Sequence, residues 1–368
     1  MKSYANQRQG EKSMPGSVER EPRREAEILS VTSPPQQPPA QVMMQLITGY
    51  WLSQAVGAAA HLGIADALAA GPRTSEELGQ TIGVQPQAVF RLLRLLTSLG
   101  VFRQDEHDSF ALNPLGETLL SETPGSVRDF AITETAPGHW LPWGRLSDSV
   151  RTGKPMARET LGAELFDWYA QNPEEAGFFT AAMGNLSALA AGELVRVYDF
   201  TNVEKVIDVG GAHGILLGAV LKANPNASGI IFDLPHVIGT AENVIDPAVR
   251  DRYELVSGDF FESVPPGADL HILKQIVHDW DEERASLLLR NCHDALRPGG
   301  TLLLIEMIVP GDNRPDLAQA MDLNMLVILG GRERTEEEYR SILAASGFRL
   351  ERVIATHSPF SVIEALRV

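Results

Sequence analysis

Lys205-Val206-Ile207-Asp208-Val209-Gly210-Gly211-Ala212-His213-Gly214, followed by Ile215-Leu216-Leu217-Gly218-Ala219-Val220, places a short apolar run, a glycine turn and an apolar helix in immediate succession. A strand that enters a helix through glycines is the first half of a βαβ unit, whose ligand sits beyond the carboxyl end of the strand. Counting from Gly210, Ala212 and Ile215 stand where a dinucleotide fingerprint needs its second and third glycines, and no Gly-Lys-Ser/Thr follows to hold a triphosphate. Asp208, Gly210, Gly211 and Gly214 remain as a turn that lets backbone approach a smaller ligand.

Outward from that turn the alternation continues. Strands are expected at 205–209, 229–232, 253–256, 270–273 and 301–305, with helices at 215–223, 237–244, 282–296 and 335–345. Alternating strand and helix gives an α/β fold with a doubly wound, mostly parallel sheet. Two closing strands, 349–355 and 361–366, meet at His357-Ser358-Pro359 and add an antiparallel hairpin to one edge. Asp233 stands at the tip of the second strand, 19 residues beyond Gly214, where a carboxylate grips ribose hydroxyls. The third strand delivers Gly258-Asp259-Phe260-Phe261, a carboxylate for an adenine amino group and an aromatic face for stacking. The expected ligand is therefore a nucleoside.

Upstream the period changes from two to about 3.6. Residues 41–122 read as helices followed by a small wing, with a capping-box pattern at Thr74 and Glu77, a broad apolar face from Phe90 to Leu99, and flanks Val101-Phe102-Arg103 and Ser109-Phe110-Ala111-Leu112. A winged helix suggests DNA, but residues 50–120 carry four arginines against seven acids, and a duplex reader needs a basic face. Self-association suits these apolar helices better, as the core of a homodimer. Residues 123–200 read as a helical connector rich in aromatics, a candidate wall for a flat substrate. The stretch 46–70 reads as buried helix. Residues 1–40 mix charges, end in a proline-rich run and are expected to be a disordered tail.

The 368 residues, with 48 acids against 31 bases and a net charge of −17, leave room for two or three domains and argue against nucleic acid or an anionic membrane as partner. Cys292 is the one cysteine, so no internal disulfide forms and the expected compartment is the cytoplasm. The opening residues lack the apolar run of a secretory signal, and 46–70 is too polar to cross a membrane.

Four strand ends together, Asp208-Val209-Gly210-Gly211 with Gly214, Phe232-Asp233-Leu234-Pro235-His236-Val237, Gly258-Asp259-Phe260-Phe261 and Leu273-Lys274 with His278-Asp279-Trp280, resemble the class I S-adenosylmethionine-dependent O-methyltransferases. These have a Rossmann-like methyltransferase sheet and an N-terminal winged-helix dimerisation domain, and include plant caffeate-type and bacterial polyketide and phenazine enzymes. The resemblance runs from about residue 42 to the C-terminus. It implies S-adenosylmethionine as methyl donor, contacts at Gly210, Asp233, Asp259, Phe260 and Lys274, and residues 201–368 as the catalytic domain. The family turn usually continues Gly-Thr-Gly, whereas Ala212-His213-Gly214 stands here.

Methyl transfer from a sulfonium is an in-line displacement that needs an aligned, deprotonated oxygen. An imidazole can take a phenol proton as the bond forms, and the resemblance places the base at His278. A base needs an orienting acid; Glu306, ending the fifth strand, and Glu333, ahead of the last helix, match the family positions beside it. Phe179, Met183, Asn324, Met325 and Ile328 are candidates for the acceptor side, each equally suited to ordinary core. A metal site from His271 and His278 is discounted because seven residues across a strand end give no shared face, and no metal is expected. The expected activity is methylation of a phenolic hydroxyl. Decarboxylation, hydroxylation, or C- or N-methylation on the same fold, an NAD oxidoreductase and a nucleoside-sensing winged-helix regulator stand as alternatives.

Overall fold

The computed structural model describes residues 38–105, 108–241, 246–312 and 314–368. Most of the expected tail, with residues 242–244 of one expected helix, lies outside them. The first helix, α1 (Pro39–Ile47), buries none of its residues. Next come α2 (Gly49–His61), α3 (Ile64–Leu68), α4 (Ser75–Ile82), α5 (Pro86–Ser98), strands β1 (Arg103–Gln104) and β2 (Phe110–Ala111), and α6 (Pro114–Glu117). Thr74 and Glu77 close the expected capping box on α4, and Val89, Leu93 and Leu96 turn one face of α5 inward. With Ile64, Leu68, Leu78, Phe102 and Phe110 they form a core of their own.

The stretch 46–70 departs from its reading as one buried helix. It breaks at Thr48 and again at Gly63, whose left-handed φ of 66° starts a new helix. Leu46, Ile47, Tyr50 and Trp51 are exposed. The face of α2 that is buried carries small residues, because it lies hard against Thr135, which ends the helix of residues 128–135. A Cβ on Gly57 would fall 2.2 Å from the Thr135 hydroxyl. Among the described residues, the large apolar side chains Leu46, Ile47, Tyr50 and Trp51 stay more than half exposed, Tyr50 meeting the tilted ring of Trp140.

The connector comprises α7 (Arg128–Thr135), α8 (Pro137–Trp143), α9 (Leu146–Thr152), α10 (Ala157–Leu161), α11 (Leu165–Gln171) and the 25-residue α12 (Pro173–Val197). Among the described residues only α12 is long and apolar enough to span a membrane by composition. Its Ala190, Ala191 and Leu194 are buried against the first helix of the sheet domain.

The sheet domain runs β3 (Lys205–Val209), α13 (Ile215–Ala223), β4 (Ser228–Asp233), α14 (Pro235–Ala241), β5 (Tyr253–Ser257), β6 (Ala268–Lys274), α15 (Glu282–Ala295), β7 (Leu296–Glu306), α16 (Leu317–Ile328), α17 (Glu336–Ala345), β8 (Phe348–Ala355) and β9 (Ser361–Arg367). The strand order is β5-β4-β3-β6-β7-β9-β8, parallel from β5 to β7 and antiparallel from β7 to β8. Val206, Ile207, Val209, Leu270, Ile272, Leu302, Leu303 and Leu304 are closed from solvent on both faces, as a helix-covered parallel sheet requires. The chain leaves β3 for β4 on one side and later returns to β6 on the other, so the strand order reverses at the tip of β3. The crevice of such a sheet opens there.

Candidate active site

The turn after β3 is shaped by what surrounds it. Gly210 and Gly214 hold φ of 70° and 67°, and Ala212, with a side chain, holds 46°. A Cβ on Gly210 would stand 2.6 Å from Ile276 Cδ1, so this backbone stays bare on the crevice side. Asp233, at the tip of β4, accepts the Ala212 N–H at 2.9 Å on Oδ2 and the Leu234 N–H at 2.7 Å on Oδ1. Burial pushes its carboxyl up, against those two hydrogen bonds. Asp208 has a different part. It is buried, pushed up to about 7 by burial, and its Oδ2 accepts the Leu217 N–H at 3.3 Å, so it braces the start of α13 beneath the turn.

Beyond β5, Asp259 Oδ1 accepts the Phe261 N–H at 2.8 Å, and Asn291 of α15 donates to the carbonyls of Phe260 and Phe261. Phe260, Phe261 and Trp280 meet edge to face. At the end of β6 Lys274 donates to Gln275 Oε1 at 2.7 Å, and burial brings its amine down to about 8. Bare backbone at the rim, a carboxylate from β4, another after β5 and an aromatic edge form a cradle that fits a nucleoside.

One step along the same rim is His278, in a single 3-10 turn, Val277–Asp279. The turn hangs on Glu306, the last residue of β7, whose Oε1 accepts the N–H groups of Ile276 at 3.2 Å and Val277 at 3.0 Å. Arg334, wholly buried, donates to the carbonyls of Val277 and Trp280 on the other side. Glu333 Oε1 lies 2.7 Å from His278 Nδ1; a carboxylate only accepts, so Nδ1 carries the proton. Glu333 is placed by α16, where Asp322 Oδ1 accepts its N–H at 3.0 Å. At the other ring nitrogen, Nε2, Asp279 Oδ1 stands 3.3 Å away.

Burial alone would lower the His278 pKa. Asp279, Glu306 and Glu333 overcome it and hold the imidazole up to about 9. Glu306 itself is pushed up to about 7 by burial. The ligand atoms of His278, Glu306 and Glu333 all lie within 4.8 Å of one another, close enough to surround an ion. Their near atoms, however, already serve hydrogen bonds to one another or to backbone.

The sequence-based residues thus divide. His278, Glu306 and Glu333 come together, but only Glu333 bonds the imidazole; Glu306 holds the turn. Asp279, Arg334 and Asp322 were missed. Asp279 had a signal in its place beside His278, whereas Arg334 and Asp322 are ordinary charges until the fold is known. On the acceptor side, Phe179 stacks on Tyr169 at 4.8 Å between ring centroids, and Asn324 Oδ1 accepts the Trp143 indole N–H at 2.7 Å. Ile328 is buried core against Leu165 and Tyr169, Met325 is buried, and Met183 is half-buried outside that cluster. His271 is buried in β6 with neither ring nitrogen hydrogen-bonded, and does not join His278 in the metal-sized cluster.

Residues 44–122 match the family described as O-methyltransferase dimerisation domain, and residues 143–349 match the O-methyltransferase domain. Phenazine O-methyltransferase PhzM of Lysobacter antibioticus is 39% identical over 329 residues, covering 89% of this chain and 96% of the relative. Mitomycin biosynthesis 6-O-methyltransferase of Streptomyces lavendulae is 35% identical over 331 residues, with 89% and 94% covered. Among solved structures, the SAH-bound form of CalO1, a methyltransferase in calicheamicin biosynthesis, superposes with a TM-score of 0.82 at 32% identity, covering 89% of this chain and 98% of that one.

Proposed function

The chain belongs to the O-methyltransferase family that carries an N-terminal dimerisation domain and is an S-adenosylmethionine-dependent methyltransferase; from that premise we propose that it methylates the phenolic hydroxyl of an aromatic natural product, with His278 as general base. The observation that carries this is the 2.7 Å contact of His278 Nδ1 with Glu333 at the rim that also presents the nucleoside cradle. When bound, S-adenosylmethionine supplies a sulfonium-activated methyl group. Gly210, Gly211 and Gly214 would let backbone approach it, Asp233 would accept hydrogen bonds from its ribose hydroxyls, Asp259 and Phe260 would hold the adenine, and Lys274 would offset the charge of its carboxylate.

Glu333 fixes the imidazole with Nδ1 protonated, so the proton that leaves the phenol is taken at Nε2, the side marked by Asp279. Glu306 keeps the turn from drifting, which matters because a displacement is sensitive to fractions of an ångström in alignment. Because the resting imidazole is held up to about 9, the base gains its neutral form as pH rises. Within the cluster Glu333 orients the base and Glu306 holds its turn, and the reading calls for no metal there. Within this reading residues 41–122 form the homodimer through the exposed Leu46, Ile47, Tyr50 and Trp51, residues 123–200 wall the acceptor, and residues 201–368 hold the cofactor. A cytoplasmic setting suits Cys292, buried and free.

The test is transfer of a labelled methyl group to a panel of catechols, naphthols and hydroxyphenazines, wild type beside His278→Ala. Label on oxygen with the wild type and a loss of roughly 10²-fold or more in the variant is expected. Equal turnover by the two removes His278 from the role of base.

A further inference from the structure

The residues between α16 and α17 close on the turn that carries His278. Gly331 lies against its backbone: a Cβ there would fall 2.1 Å from the His278 carbonyl oxygen and 2.7 Å from the Asp279 carbonyl carbon. The Arg332 N–H donates to that same His278 oxygen at 2.8 Å. Glu333 takes the ring at Nδ1. Arg334 then reaches both ends of the turn, Nη1 donating to the Val277 carbonyl at 3.1 Å and Nη2 to the Trp280 carbonyl at 3.2 Å. Four consecutive residues thus hold the backbone and the imidazole of one residue.

This segment has little freedom of its own. Gly330, with a left-handed φ of 80°, stands just past α16 and donates its N–H to the Met325 carbonyl at 2.8 Å. Arg334 bridges to Ile308 beyond β7, and its carbonyl accepts the Val309 N–H at 3.0 Å. Thr335 and Glu338 close a capping box on α17 immediately afterwards. A loop tied to two helices and to the end of a strand passes its geometry on to whatever it holds.

Arg334 is placed to hold the turn and not merely to fill the core. Its side chain is wholly enclosed, yet the only carboxylate it pairs with among the described residues, Glu282 Oε2 at 3.3 Å, is 60% exposed. A guanidinium buried without an equally buried counter-ion is a costly way to pack a loop. What it gains is the planar fork, whose arms span two carbonyls three residues apart as one ammonium head cannot. Glu306 accepts the N–H groups of Ile276 and Val277, so the turn is held through its carbonyls by one residue and through its amides by another.

Resting on the reading of His278 as the base, we propose that Gly331 and Arg334 are positioning residues for it. Together they fix the carbonyls of Val277, His278 and Trp280, and so set where Nε2 meets the acceptor oxygen, while Glu333 between them fixes the ring. Arg334 acts through its fork, not through its charge.

The test follows kcat and KM for the phenol that wild type uses best among catechols, naphthols and hydroxyphenazines, with calorimetric SAH affinity. It also follows the downfield proton resonance of His278 Nδ1–H, identified by its absence from His278→Ala. Arg334→Lys keeps the charge and loses the fork. It is expected to lower kcat roughly tenfold or more with acceptor KM and SAH affinity unchanged, and to lose the resonance to exchange with water. Gly331→Ala keeps every side chain that grips the turn and presses only on the His278 carbonyl. The same pattern is expected, and this variant carries the test if Arg334→Lys does not fold. A variant that melts earlier but keeps wild-type kcat and the resonance shows a purely structural role and overturns the assignment. A fall in SAH affinity that matches the fall in kcat overturns it as well, because the damage then lies in the cofactor cradle. If wild type methylates no phenol, the resonance still decides whether these residues hold the ring, and only the reading of His278 as base falls.

Discussion

The rim of the sheet and the helical wall before it are built in opposite ways. Along the rim, each cofactor contact is proposed for a residue at or just past a strand end, and hydrogen bonds from nearby backbone fix the two carboxylates: Asp233 by Ala212 and Leu234, Asp259 by Phe261. In the wall, contacts come from side chains on separate helices, as with His139, Tyr169 and Phe179. A site made of backbone tolerates few substitutions and keeps one ligand. One made of packed side chains can change its ligand by exchanging single residues.

Perturbing each region separately breaks or sharpens this contrast. At the rim, Glu333→Gln removes the acid that sets the tautomer of His278, and kcat on its pH plateau is expected to fall roughly 10²-fold with SAH affinity intact. In the wild type kcat/KM should climb with pH toward about 9, because the base must be neutral. The variant loses a carboxylate that holds the imidazole up, so its climb should shift to lower pH. The same raised pKa contributes stability that is full below the unfolded value near 6.5 and is lost as pH rises through about 9. Thermal melts across that window should fall more for wild type than for His278→Ala.

Gly210→Ala sets a Cβ 2.6 Å from Ile276 at a φ of 70°, and a loss of about tenfold or more in SAH affinity by calorimetry is expected. In the wall, Phe179→Ala should do less. Loss of its stacking is worth about 1 kcal/mol, a rise of about fivefold in acceptor KM with no change in SAH affinity. If Phe179→Ala instead weakens SAH and leaves the acceptor KM alone, the two regions are not the independent devices described here.

Much of the rim was legible in the chain because strand, turn and helix are local. Gly210 through Gly214 declare a turn, and Asp233 and Asp259 each stand at the end of an apolar run. The exposure of Leu46, Ile47, Tyr50 and Trp51 was not legible, since an apolar helix face looks the same whether it meets its own core or a second chain. Nor was the division of labour between the two glutamates. Both match family positions, but only the backbone geometry around Val277 shows that Glu306 holds a turn while Glu333 holds a ring.

Hydrophobic period and glycine punctuation alone determined the sheet, the order of its elements and the edge at which the glycine turn opens, because these depend on residues within a few positions of one another. The pairing of His278 with Glu333 across 55 residues, the clamp of Arg334 on the same turn, and the packing of His139 with Tyr169 and Phe179 were decided by tertiary structure. Each depends on helices and loops brought together only when the core is buried, and no local pattern encodes which charged side chains that burial will enclose.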